Sequence, residues 1–111
     1  MAPPEGPPAG AAEAFEAVVR DLGGELGVER AMAFGKPGVK RAGHMCACVP
    51  DPTGVAFRLV EPGHAQALAL EGAHLWVPSA RDRPFKDWVY VPLAHAARWP
   101  DLLRQAAGAV R

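Results

Sequence analysis

The chain has 111 residues, half of them hydrophobic and 22% charged, and its 12 basic and 12 acidic residues cancel. That balance argues against broad, charge-driven binding along nucleic acid, which draws on a basic excess. Two cysteines are too few for a disulfide framework, and no apolar run approaches the ~20 residues of a membrane-spanning helix. A chain of this size is expected to bury roughly 65% of its unfolded surface, enough for one domain with one core.

Residues 1 to 10 (MAPPEGPPAG) carry Pro3, Pro4, Pro7 and Pro8. They read as a disordered tail ahead of a single domain over residues 11 to 111. The tail has neither the basic nor the apolar segment of a signal peptide, so a cytoplasmic protein is expected. Phe15, Val18, Val19, Leu22 and Leu26 recur at the spacing of one helix face. Gly23 and Gly24 are read as the stop, which predicts a helix over 11–23.

From 30 to 60 the pattern breaks into short segments divided by turn residues: RAMAF, GKPG, VKRA, GHMCACV, PDPTG and VAFRLV. This predicts a meander of three or four antiparallel strands. In VAFRLV the alternation places Val55, Phe57 and Leu59 on one face and Ala56, Arg58 and Val60 on the other. EPGHAQALALEG (61–72) predicts a second helix. LWV (75–77) and DWVYV (87–91) predict strands joined by the loop PSARDRPFK. Trp99, Leu102, Leu103, Ala106 and Val110 predict a closing helix over 99–110, with LAHAA before it as a helical turn. Strands grouped between helices predict an α+β fold of two layers, with helices on one face of an antiparallel sheet.

GHMCACV holds three metal-ligand types at alternate positions, His44, Cys46 and Cys48. In a regular strand all three point to one face, with Met45, Ala47 and Val49 on the other. An extended Cys-x-Cys sets its sulfurs about 6.5 to 7 Å apart, too far for a disulfide and poorly placed for one tetrahedral metal. The expectation is therefore sheet packing and no metal. Ser79 is the one serine and has no nucleophile elbow around it. Neither phosphate-binding glycine motif occurs. Asp51, Glu61, Asp82 and Asp87 flank turns, so no catalytic set and no cofactor is expected. The remaining chemistry is basic and aromatic: Lys36, Lys40 and Arg41 near the first hairpin, Arg58, then Arg81, Arg83 and Lys86 around the 78–86 loop, and Trp88. Arginine and lysine near a tryptophan can hold an anionic or stacked ligand. The candidate surface is Lys36, Lys40, Arg58, Arg83, Lys86 and Trp88.

FGKPGVKRAGHMCACV (34–49), VAFRLVEPGHAQAL and RPFKDWVYVP (83–92) resemble, in order and spacing, the TfoX N-terminal domain and its relatives in the MmcQ/YjbR group. The matching positions are Phe34, Gly35, Gly43, Met45, Arg58, Arg83, Pro84, Lys86, Trp88 and Val91, with Phe85 where that group more often has methionine. RWPDLLRQA is similar to its closing helix. The resemblance spans about residues 14 to 108 and implies a small α+β fold without a catalytic set. Two-domain regulators of this type, which act in competence gene activation, carry a second helical domain after this one, so their regulatory role is not carried over to this chain.

The expectation for function is a small non-enzymatic binding or regulatory module that contacts a protein partner. Two alternatives stand beside it. One is a nucleic-acid-binding protein of the YjbR type. The other is a small-molecule binder or enzyme with a pocket near His44, Arg58 and Trp88. Self-association through a strand edge or apolar helix face is a further expectation.

Overall fold

The computed structural model describes residues 10–33, 35–78 and 83–110. The expected tail apart from Gly10 lies outside the described residues, as do Phe34, Ser79, Arg81 and Asp82. In chain order the elements are α1 (Ala11–Leu26), β1 (Glu29–Ala33), β2 (Lys36–Arg41), β3 (His44–Asp51) and β4 (Gly54–Arg58). There follow α2 (Gly63–Leu68), β5 (His74–Leu75), β6 (Trp88–Pro92), a 3-10 segment (Leu93–Arg98) and α3 (Trp99–Gly108). The strands form one antiparallel sheet in the order β1-β2-β3-β4-β6-β5, and the helices pack on one of its faces. This is the α+β architecture that the strand grouping predicts.

Helix α1 runs three residues past the expected stop. Gly23 and Gly24 stay helical, and the helix ends at Gly27, whose φ of 69° lies in the left-handed region. The Val28 amide donates to the Gly23 carbonyl (3.0 Å) and the Gly27 amide to that of Gly24 (3.3 Å). That double closure is a Schellman motif, and it needs a residue tolerant of positive φ at Gly27. The second helix is shorter than predicted, because EPGH opens with a turn and LEG leaves the helix before Gly72. GKPG is not a turn as a whole: Lys36 and Pro37 already belong to β2, opposite Ala33 and Met32 of β1.

The helix-side core joins α1, β4 and α3 through three rings. Phe15 and Phe57 meet edge to face at 6.1 Å between centroids, and Trp99 lies 6.4 Å from each. Val19, Val39, Val55, Leu59, Val89, Val91, Leu102 and Leu103 fill the space around them. Such pairs add about 0.5–1.5 kcal/mol each beyond the area they bury.

The far face of the sheet carries a second, smaller cluster: Ala33, Cys48, Ala56, Trp76, Trp88 and Tyr90, flanked by Met45 and Phe85. Its centre is built from small residues, so the indoles of Trp76 and Trp88 (5.5 Å apart) can lie over it. Gly38 is the tightest of these positions. A methyl group there would collide with the Ala47 carbonyl oxygen and press on Cys48 Cβ and Met45 Cε.

Gly38→Ala is therefore expected to lower stability by about 1–3 kcal/mol, the usual cost of overpacking. Gly24→Ala, at a helical site with nothing within 4 Å of the new methyl group, is expected to raise stability by up to about 1 kcal/mol through helix propensity. Urea unfolding of the two variants measures both; equal midpoints would contradict the packing described for Gly38.

Candidate functional site

Strand β3 does not keep the alternation assumed for GHMCACV. Val39 of β2 faces Ala47, yet the next residue, Lys40, faces Met45. Cys46 is the extra residue of a β-bulge, and a bulge shifts every later side chain to the opposite face. Cys46 and Ala47 both join the helix-side core, whereas Cys48 joins the far-face cluster. The expectation that His44, Cys46 and Cys48 share a face is thus corrected: the two thiols lie on opposite sides of the sheet. Among the described residues, no three His, Cys, Asp or Glu side chains gather as for a metal ion.

Both thiols are fully buried and free. Burial pushes the Cys48 thiol up to about 12. Burial also raises Cys46, partly offset by the Arg41 amide and by the charges of Arg41 and Arg58. The thiolate is the reactive form, so both are chemically quiet. A thiol reagent such as DTNB at pH 8 is expected to modify neither cysteine in the native protein and both in denaturant. Fast native labelling of either would contradict this placement.

A second register shift follows between Cys48 and Asp51, where Pro50 has no amide to offer the ladder. It returns Asp51 to the far face and to Tyr90. Asp51 Oδ1 accepts hydrogen bonds from the Tyr90 hydroxyl (2.7 Å), the Thr53 amide (2.8 Å) and the Thr53 hydroxyl. The Thr53 and Tyr90 hydroxyls also touch, and His74 stacks on the Tyr90 ring at 4.9 Å. The same turn anchors its surroundings: the Pro52 carbonyl receives the Ala11 amide at the start of α1, and the Thr53 carbonyl receives that of Leu93 after β6. Sequence reasoning treated Asp51 as an ordinary turn residue. Only the fold brings Tyr90, 39 residues away, to its side.

Burial acts to raise the Asp51 pKa, but the hydrogen bonds from Thr53, Tyr90 and Gly54 outweigh it and hold the carboxyl below its ordinary value. Burial raises the Tyr90 phenol to about 12; its bond to Thr53 opposes that rise and the Asp51 carboxylate adds to it. Tyr90 is the one tyrosine of the chain, so ultraviolet titration reads it alone. The phenol is expected to resist ionisation until pH approaches about 12, and Asp51→Asn should bring the midpoint down. Because the folded Asp51 pKa is depressed, its stabilisation is present above the unfolded carboxyl range and is lost as pH falls through the folded value.

The six candidate surface residues lie on several elements. Lys36 and Lys40 lie on β2, and Lys40 pairs with Glu29 of β1 (3.9 Å). Arg58 ends β4, separated from β2 by β3. Arg83 and Lys86 are exposed on the segment before β6. Trp88, only 9% exposed, is packed against Trp76 and is not presented as a stacking platform. Arg41 is taken up structurally: its guanidinium donates to the Ala107 carbonyl (2.9 Å) at the C-terminal end of α3, where a cation suits the helix dipole.

Two hollows stand out. One is an apolar groove of about 390 Å³ between α1 and the β1–β2 hairpin. Phe15, Val19, Met32, Pro37, Val39 and Val49 line it, and the Glu16–Arg30 ion pair crosses its rim. β1 is an edge strand of the sheet, and Met32 on it is 66% exposed. The other hollow, about 300 Å³, lies at the end of the sheet beside the C-terminal turn of α3 and brings together His44 and Arg58. The expected pocket near His44 and Arg58 thus has its two polar residues together, but Trp88 is not among those lining it.

Compared with known proteins, the chain matches no family model, no curated protein and no solved structure. No helix of the described residues is long and apolar enough to cross a membrane.

Proposed function

We propose that the chain is a small protein-binding module that receives an extended segment of a partner on the free edge of β1. The observation that carries this reading is the coincidence of a strand edge that is unpaired among the described residues with an apolar groove beside it. A strand added at an edge gains main-chain hydrogen bonds, and its alternate side chains enter the adjoining hollow. The segment that fits has apolar residues at every second position, facing Phe15, Val19 and Val39. An exposed methionine suits such a surface, because its flexible thioether repacks around different occupants.

The same reading makes the chain a relative of the TfoX N-terminal and MmcQ/YjbR group. Two glycines of the resembling motif support it, since Gly35 and Gly43 both hold positive φ (76° and 81°) beside the ends of β2. Conformational freedom of that kind is what a glycine-specific position needs. The nucleic-acid alternative is less favoured, because Glu29 engages Lys40 and the remaining cations are spread over separate strands and a loop.

Met32→Glu places a charge beside the groove at an exposed site, where a fold of this kind tolerates it. A partner captured from a lysate of the source organism by the wild type is expected to be lost with Met32→Glu and kept with Lys40→Glu. Retention by the Met32 variant, with an unchanged circular dichroism spectrum, would count against the edge as the binding site.

A further inference from the structure

The hollow at the end of the sheet has a polar rim of mixed sign over an apolar floor. His44 begins β3, Arg58 ends β4, and Asp87 precedes β6. The register and the bond from the Leu59 amide to the Asp87 carbonyl (2.8 Å) bring these strand ends together. Leu59, Ala106, Ala109 and Val110 supply the floor. Leu59 and Ala106 are buried, whereas Arg58, His44 and Asp87 are exposed at the mouth.

The charges at this mouth are not spent on one another. Although Arg58 and Asp87 line the same hollow, no ion pair joins them, and neither side chain has a hydrogen-bond partner among the described residues. Arg41, by contrast, is committed to the α3 carbonyls. The pocket therefore offers a planar five-donor cation and an imidazole that can donate an N–H, together with an acceptor-only carboxylate. The volume, about 300 Å³, is at the small end of ligand sites, which run from roughly 300 to 1,000 Å³.

We propose that this hollow binds a small zwitterion, an α-amino acid with an apolar side chain. Its carboxylate is held by Arg58 with His44, its ammonium by Asp87, and its side chain lies on Leu59, Ala106 and Val110. A ligand with a single charge would leave one of the two rim charges unmatched at the mouth of the pocket, and a peptide has its two termini too far apart to meet both. The site shares no residue with the β1 groove, so it stands or falls apart from the protein-binding reading.

The test is an amide-shift titration of the ¹⁵N-labelled full chain with L-leucine, leucinamide and 4-methylpentanoate. Leucine is expected to move the amides of residues 44, 58–60, 87 and 106–110 in a saturable way. Leucinamide lacks the carboxylate and 4-methylpentanoate the ammonium, so each should bind about tenfold more weakly, the effect of losing one charged hydrogen bond. Arg58→Gln should weaken leucine by a similar factor and leave leucinamide unchanged; Asp87→Asn should weaken leucine and leave 4-methylpentanoate unchanged. Shifts absent at millimolar leucine, shifts centred elsewhere, or either half-probe binding as tightly as leucine would overturn the proposal. The wild-type comparison decides the matter even if a variant does not fold.

Discussion

The far side of the molecule depends on the extra residue that β3 inserts at Cys46. A strand has a strict two-residue period, so one unpaired residue exchanges the faces of all that follows. Because of it, Met45 and Cys48, three positions apart, both face the tryptophan cluster. The second shift, at Val49–Pro50, exchanges the faces again and delivers Asp51 to Tyr90. Without the second shift, Asp51 would turn to the helix side and not reach the phenol, and the turn that fastens α1 and the segment after β6 would lose its buttress.

The two faces are built by opposite rules. Under the helices, large apolar groups interlock around Phe15, Phe57 and Trp99. On the far face the sheet is stripped to Gly38, Cys48 and Ala56, and the bulk comes from Trp76, Trp88 and Tyr90. β4 is buried from Gly54 to Phe57, because it lies between these layers. One cost remains visible: the Trp99 indole N–H is buried without an acceptor among the described residues, a deficit of about 1–3 kcal/mol that the ring packing offsets.

A core that consumes the central strands leaves chemistry to the margins. Among the described residues β1 is paired on one side alone, and α1 does not close the groove beside it. At the strand ends, His44, Arg58 and Asp87 stand where the backbone ladder stops and α3 finishes. The interior thiols and the tryptophans, the most conspicuous residues in the sequence, are committed to packing.

Much of the fold was legible in the chain itself. The 3.6-residue spacing of Phe15, Val19 and Leu22, and of Trp99, Leu102 and Leu103, marks α1 and α3. The alternation of Val55, Phe57 and Leu59 marks β4, since burial on one face is a local, periodic property. The true stop of α1 was also written there, in Gly27, but Gly23 and Gly24 mask it, because a glycine that ends a helix and one that merely tolerates it look alike without φ. The site was less legible. Arg58 and His44 stood out as residue types, but their meeting with Asp87, and the meeting of Asp51 with Tyr90, depend on contacts between distant segments. The sequence by itself determined which segments are helix and strand and which sides of α1, α3 and β4 are apolar. Only the tertiary structure decided which face each β3 side chain takes, because a bulge is a property of two paired strands and leaves no period in one of them.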